Sequence, residues 1–421
     1  MPKILITGNG FDLHHHLPTR YQDFIEIMMN IEKLNISDKI TFKQLFSNTK
    51  NAEELINYFE TEDMSFDYKG LIEIKEKLSN NVWYKYFKNE FKIDTWIDFE
   101  LKIEEAIKNV IFYITRFREI LSNKPPKNIQ FFFFFFFNNR IEMLFILEKF
   151  ELITRENYNS ALKQIFLINK HSRYIDVNED EILKHLKNQL EDFKDIFNYY
   201  FYEIIDVFLR KSKSIKNKNL HLNNIDYYFT FNYTDTFNIF YEKSKRNMII
   251  NHLHGKSFIE KLISISPEKH SIVLGFGDID DALDNKKFYF PFTKYYQKLN
   301  NNTDYRFIKE IVDEKNDDSW YLYIWGHSLD ISDKDYIDEI FEFLLKKEYN
   351  PSYENKCFII YHDEKSKSNM LLNLLNIRGR NDVELCMRNN KLKFIFADDE
   401  TLNKYFNLKE KRPVINDPGF F

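Results

Sequence analysis

An α/β fold, built on a mostly parallel sheet with helices on both faces, is what this sequence predicts, on three observations. Lys3-Ile4-Leu5-Ile6-Thr7 is a short apolar run that stops at Gly8, the pattern of a buried parallel strand. Strand-like runs are then absent for nearly two hundred residues, and long stretches with helical period replace them. After about residue 222 apolar runs return and alternate with helical patterns, as in a sheet whose strands are joined by crossover helices.

Taken in order, the first two dozen residues supply an opening strand and a turn suited to phosphate, which is the start of a Rossmann-like nucleotide-binding sheet. Helices are expected around Tyr21 to Leu34, Trp96 to Leu121, Arg140 to Leu152 and Glu181 to Lys211. Strands are expected at Asp226 to Phe231, Met248 to Leu253, Ser271 to Gly275, Tyr321 to Trp325, Cys357 to Tyr361 and Leu392 to Phe396. Two further helical patterns cover Asp333 to Lys346 and Ser366 to Ile377. The simplest division gives residues 1–24 and 222–421 to one Rossmann-like nucleotide-binding domain, and residues 25–221 to a large helical insertion after the first strand. The basic stretch Lys211 to Lys218 reads as a linker.

Composition narrows the function classes. The 421 residues are 43% hydrophobic, ample for a large core, and 60 basic residues face 65 acidic ones for a net charge of -5. No basic surplus announces nucleic-acid binding. Cys357 and Cys386 are the two cysteines, which excludes a four-cysteine zinc module and a disulfide framework and fits a reducing compartment. No secretion signal and no run of about 18 apolar residues is visible, so a cytoplasmic protein off the membrane is expected. The 43 phenylalanines and 26 tyrosines look like the output of an AT-rich coding sequence. Seven consecutive phenylalanines, Phe131 to Phe137, read either as a buried segment or as the product of a homopolymeric DNA tract prone to slippage.

Four constellations could carry chemistry. Thr7-Gly8-Asn9-Gly10-Phe11-Asp12 follows the first strand, where glycines let backbone approach a diphosphate; two glycines without the third also suit a tight turn that holds no ligand. His14-His15-His16 precedes Leu17-Pro18-Thr19-Arg20. Consecutive histidines rarely converge on one ion, so no metal site is assigned, and Arg20 is either a phosphate contact or a surface cation at a helix start. Phe231-Asn232-Tyr233-Thr234-Asp235 ends another apolar run. Asn232 there can donate and accept, while Asp235 either meets ligand or caps the next helix. His252-Leu253-His254-Gly255 puts two histidines on one face at a strand end, with His254 a candidate base. Last, Gly326-His327-Ser328-Leu329-Asp330 repeats the strand-then-glycine logic; Asp330 stands where a nucleophile elbow needs glycine, which argues against a serine hydrolase.

Together with Trp96-Ile97-Asp98-Phe99-Glu100, these motifs resemble the AbiH family of bacterial abortive-infection proteins, which act against phage. The matching motifs run from the first strand to about residue 340, and one departure is visible: His16 stands where the family usually has glycine. That family is in turn distantly similar to sirtuins and to sirtuin-like NAD hydrolases of phage defence. By that resemblance Gly8 and Gly10, with Asn9, Asp12 and Arg20 nearby, would hold the diphosphate of NAD. Asn232 would hold the nicotinamide ribose or a water, with Asp235 close by, and His254 would be the base. Gly326 and Ser328 would meet the adenosine-side ribose or phosphate. Asp12 replaces the sirtuin serine, Thr234 is an extra residue before Asp235, and the zinc-binding cysteines are missing, so protein deacetylation is not expected.

The expected function is an anti-phage effector that binds NAD as substrate and hydrolyses its nicotinamide–ribose bond. Two alternatives stand beside it. One is a nucleotide-binding sensor without turnover; the other is a metal-dependent nucleic-acid-processing effector that would use Asp330, Asp333 and Asp335. The partners expected are a small-molecule nucleotide, a phage-derived trigger protein and further copies of the chain.

Overall fold

The computed structural model describes residues 2–36, 39–90, 96–123, 141–156, 159–170, 174–212, 220, 222, 225–241, 248–257, 271–277, 279, 286–301, 303, 306–312, 319–346 and 354–408. The phenylalanine run and most of the basic stretch after Ser212 lie outside them. Six parallel strands form the central sheet: β1 (Lys3–Thr7), β2 (Tyr227–Thr230), β3 (Ile249–His252), β4 (Tyr321–Trp325), β5 (Lys356–Tyr361) and β6 (Leu392–Phe396). Their order is β6-β5-β4-β1-β2-β3. This is the doubly wound Rossmann-like order, with β1 and β4 side by side at the point where the winding reverses.

Strand alternation builds two cores. Ile4, Ile6, Leu322, Ile324 and Ile359 face one side, against Ile337, Ile340 and Phe341 of the helix Lys334–Leu345 and Met370 and Leu374 of the helix Glu364–Arg388. Leu5, Tyr323, Trp325, Phe358 and Ile360 face the other side, with Phe237, Tyr241, Leu402 and Phe406. Both faces are therefore covered, which is why the strands read as continuous apolar runs.

Between β1 and β2 lies a third, mainly helical core drawn from Tyr21–Lys33, Trp96–Asn123, Ile141–Lys149 and Glu179–Tyr199. It also takes Ile272, Leu274, Phe276, Phe288, Tyr289 and Phe292 from the chain between β3 and β4. The expected helix ending near Lys211 is interrupted by a π-helical turn, Tyr200–Ile205, before Asp206–Arg210.

Two expectations are corrected here. The stretch after β1 is not free of strands: Ile153–Glu156 pairs with Asn159–Leu162, and Leu167–Lys170 with Tyr174–Val177, as antiparallel hairpins. Conversely, Ser271–Gly275 is not a strand of the sheet. Leu274 exchanges its backbone bonds with the side-chain amide of Gln297, and the Val273 amide donates to the His254 carbonyl. The apolar run there signals burial, and the backbone is satisfied by an amide side chain in place of a neighbouring strand.

Among the described residues, no helix is long and apolar enough to cross a membrane.

Candidate functional site

Register delivers the site. Thr7 pairs with Thr230 on one side and with Trp325 on the other, and Thr230 pairs with His252. Gly8, Asn232, His254 and Gly326, each one or two residues further on, therefore emerge together at the carboxyl edge of the sheet. A cavity of about 330 Å³ opens there. It sits at the β1–β4 switch point, where open α/β sheets bind their ligands.

Of the residues expected from sequence, Gly8, Asn9, Asp12, Arg20, Asn232, His254, Gly326 and Ser328 line this cavity. Gly10 and Asp235 do not. Gly10 packs behind it, and Asp235 turns to Lys256, which together with His252 outweighs burial and holds its carboxyl below the usual range.

The glycines serve backbone contact. The Gly8 amide donates to the Trp325 carbonyl at 3.0 Å and the Gly10 amide to the Gly326 carbonyl at 2.8 Å. A β-carbon on Gly8 would come within 2.8 Å of the Gly326 oxygen, and one on Gly10 within 2.7 Å of the Gly326 Cα. The two turns are thus locked together, and neither glycine amide is free to cradle a diphosphate. Asn9, Ser328 and the exposed Arg20 line the same cavity.

Asn232 and Asp12 tie β2 to the opening turn. The Asn232 side-chain amide donates to the Gly8 carbonyl at 3.0 Å, and the Asn232 backbone carbonyl meets His252 Nδ1 at 3.0 Å. Thr234 and Thr236 donate to the two oxygens of Asp12 at 2.7 and 2.6 Å. Burial pushes the Asp12 carboxyl up to about 6, and those hydroxyls and Asn232 act against the rise.

His14, His15 and His16 make different contacts. His15 is buried, spans the Phe11 carbonyl and the Tyr241 hydroxyl, and burial holds it down to about 3. His14 packs on Trp325, and His16 stacks on Tyr58 and meets Glu54 at 2.9 Å. His16 has φ 58°, the left-handed region that favours glycine, so the loop takes this conformation with histidine at the position.

An ionic cluster in the cavity wall was only half visible in the sequence. His254 Nε2 meets Asp333 Oδ1 at 3.0 Å, and His327 Nε2 lies 3.3 Å from Asp333 Oδ2. His327 Nδ1 accepts the Leu329 amide, so its Nε2 carries the proton toward Asp333. Lys294, itself 3% exposed, places Nζ 3.0 Å from Asp333 and 2.9 Å from Glu100. Burial would raise Asp333, but Lys294 and His254 more than offset it and hold the carboxyl well below its usual range. Burial drives Glu100 the other way, up to about 7, with Lys294 opposing. Burial also holds His254 down to about 3 despite Asp333. His254 is therefore a neutral ring whose Nε2–H is committed to a carboxylate, leaving Nδ1 as an acceptor.

Glu100 comes from the Trp96–Asn123 helix, and Phe99, fully buried against Phe87 at 4.2 Å, fixes that helix in place. Tyr21, Phe99 and Phe201 complete the apolar wall, and Phe201 lies in the π-helical turn. Among the described residues no group of three or more His, Cys, Asp or Glu is placed to hold a metal ion. Asp330 is occupied capping Ser332, while Asp333 points into the cluster.

This ordered set of motifs now has a three-dimensional meaning, and the comparison with known families agrees with it. The sequence matches the family described as bacteriophage abortive infection AbiH over residues 4–353. The chain belongs to the AbiH family. Its place is in anti-phage abortive infection, and the matched region runs from β1 past β4, taking in every AbiH residue that lines the cavity. No curated protein and no solved structure matches this AbiH chain.

Proposed function

We propose that this AbiH protein binds NAD in the switch-point cavity and hydrolyses its nicotinamide–ribose bond, depleting the infected cell. The observation that carries the reading is the His254–Asp333 pair beside Asn232 at the carboxyl edge of β1, β2 and β3. Cleavage sends both electrons of the ribose C1′–nitrogen bond to nicotinamide and leaves an oxocarbenium-like sugar for water to attack. Such a state calls for a held ribose, exclusion of bulk water and an oriented acceptor. His254 Nδ1 accepts a hydrogen bond from a ribose hydroxyl and so orients the sugar, Asn232 sets the floor, and Phe99, Phe201, Phe231 and Leu274 supply apolar walls. A cavity of about 330 Å³ is at the small end of ligand sites, about 300–1,000 Å³, and suits one nucleotide half held inside with the rest toward Arg20.

Metabolite profiling of cells expressing wild type and Asn232→Ala, with and without phage, tests this in vivo. NAD should fall and nicotinamide rise only with wild type under infection. Equal NAD levels in both strains would remove the proposal.

A second reading, nucleotide sensing without turnover, is favoured by one observation: the helical layer contributes Phe99, Glu100 and Phe201 to the cavity wall. A bound nucleotide would then be felt directly by that layer. Tight NAD binding with no free nicotinamide produced is its signature.

A further inference from the structure

Glu100 stands in a partition between two cavities. The nucleotide cavity lies on one side; on the other, a second space of about 250 Å³ is lined by Glu100, Glu104, Lys294, Lys298 and Asp333. Glu100, Ser332 and Asp333 border both spaces. Two carboxylates share one buried ammonium across this partition, and their surroundings differ. Asp333 receives Lys294 and two histidines, while Glu100 has Lys294 at 2.9 Å and Ser332.

We infer that Glu100 is the proton acceptor of the hydrolysis proposed above, a carboxylate delivered to the nucleotide cavity by the helical layer. The inference rests on that reaction. Water oxygen bonds to C1′, the C1′–nitrogen pair leaves with nicotinamide, and the water proton passes to a Glu100 oxygen. Glu100 then releases the proton to solvent through the second cavity, so that NAD and water give ADP-ribose, nicotinamide and one proton. His254 is the poorer acceptor: its Nε2–H is fixed on Asp333, and burial keeps the ring from holding a proton at neutral pH. A carboxyl raised to about 7 is matched to a general base that must be free near neutrality and still attract a proton. The charged and titratable groups facing Glu100 are Lys294 and Lys298 from one helix, Asp333 with His254 behind it, and Tyr233.

The test is the pH dependence of nicotinamide release by the full chain, for wild type, Glu100→Gln and Glu100→Asp. NAD binding is measured by calorimetry and folding by thermal melting in parallel. Wild-type kcat/KM should rise with pH through about 7, since the acceptor must be deprotonated. Glu100→Gln should bind NAD within a few-fold of wild type yet lose about 10²- to 10⁴-fold in kcat and its inflection. Glu100→Asp, which keeps an ionisable group, should recover part of the rate. Full turnover with an unchanged profile in folded Glu100→Gln overturns the role of Glu100 alone. Wild-type protein that binds NAD but releases no nicotinamide overturns the reaction and this role together.

Discussion

Gly10 and Gly326 touch backbone to backbone: the Gly10 amide donates to the Gly326 carbonyl at 2.8 Å, and a β-carbon on Gly326 would fall 2.2 Å from the Phe11 nitrogen. The contact joins the turns after β1 and β4, the two strands that flank the cavity. Alanine at either position should therefore destabilise the fold by about 1–3 kcal/mol through overpacking. Gly326 should cost more, because its φ of 71° is strained for any L side chain. Thermal unfolding of the two alanine variants measures this. Melting of Gly326→Ala at the wild-type temperature contradicts the packing account.

Lys294 holds two buried carboxylates together, so its removal should be felt strongly. Lys294→Met leaves Glu100 and Asp333 without their shared cation, at about 3–5 kcal/mol for a broken buried pair. Adding Glu100→Gln should restore part of that loss, since one of the stranded charges is gone. Denaturant titrations of the single and double variants give the coupling directly. Strictly additive effects are the contrary result.

Asp12 should leave a signature in stability against pH. Burial raises its carboxyl from 3.8 to about 6, so the native state binds the proton more tightly than the unfolded chain does. Its stabilising contribution is complete below about pH 4 and is lost as pH rises through about 6. Two pKa units correspond to about 3 kcal/mol. Asp12→Asn cannot ionise, so its stability relative to wild type should climb between pH 4 and 6 and then level off. A flat difference across that range speaks against a buried Asp12 carboxyl.

Much of this architecture was legible in the sequence because burial on both faces makes parallel strands into apolar runs, and β1, β2, β4, β5 and β6 stand where those runs are. The same rule misled at Ser271–Gly275, where apolar side chains are buried but Gln297 takes the backbone bonds. The hairpins at Ile153–Leu162 and Leu167–Val177 carry no glycine–asparagine turn signal and were not visible. At the site, strand ends pointed to Asn232, His254 and Gly326 because the end of an apolar run is a local signal, and parallel pairing then gathers those ends at one edge. Glu100, Lys294 and Asp333 come from three distant parts of the chain, and no spacing in the sequence encodes such a pairing. Even the glycines, read for ligand approach, are set by contact with a turn more than three hundred residues away.

Release of nicotinamide from NAD by the purified chain, with His254→Ala as control, tests the central claim most directly. Wild type should yield nicotinamide and ADP-ribose in equal amounts. His254→Ala, which leaves Asp333 its bonds to Lys294 and His327 and so should remain folded, should be slower by about 10²-fold or more. Undiminished release by the folded variant, or none by wild type that binds NAD, contradicts the account.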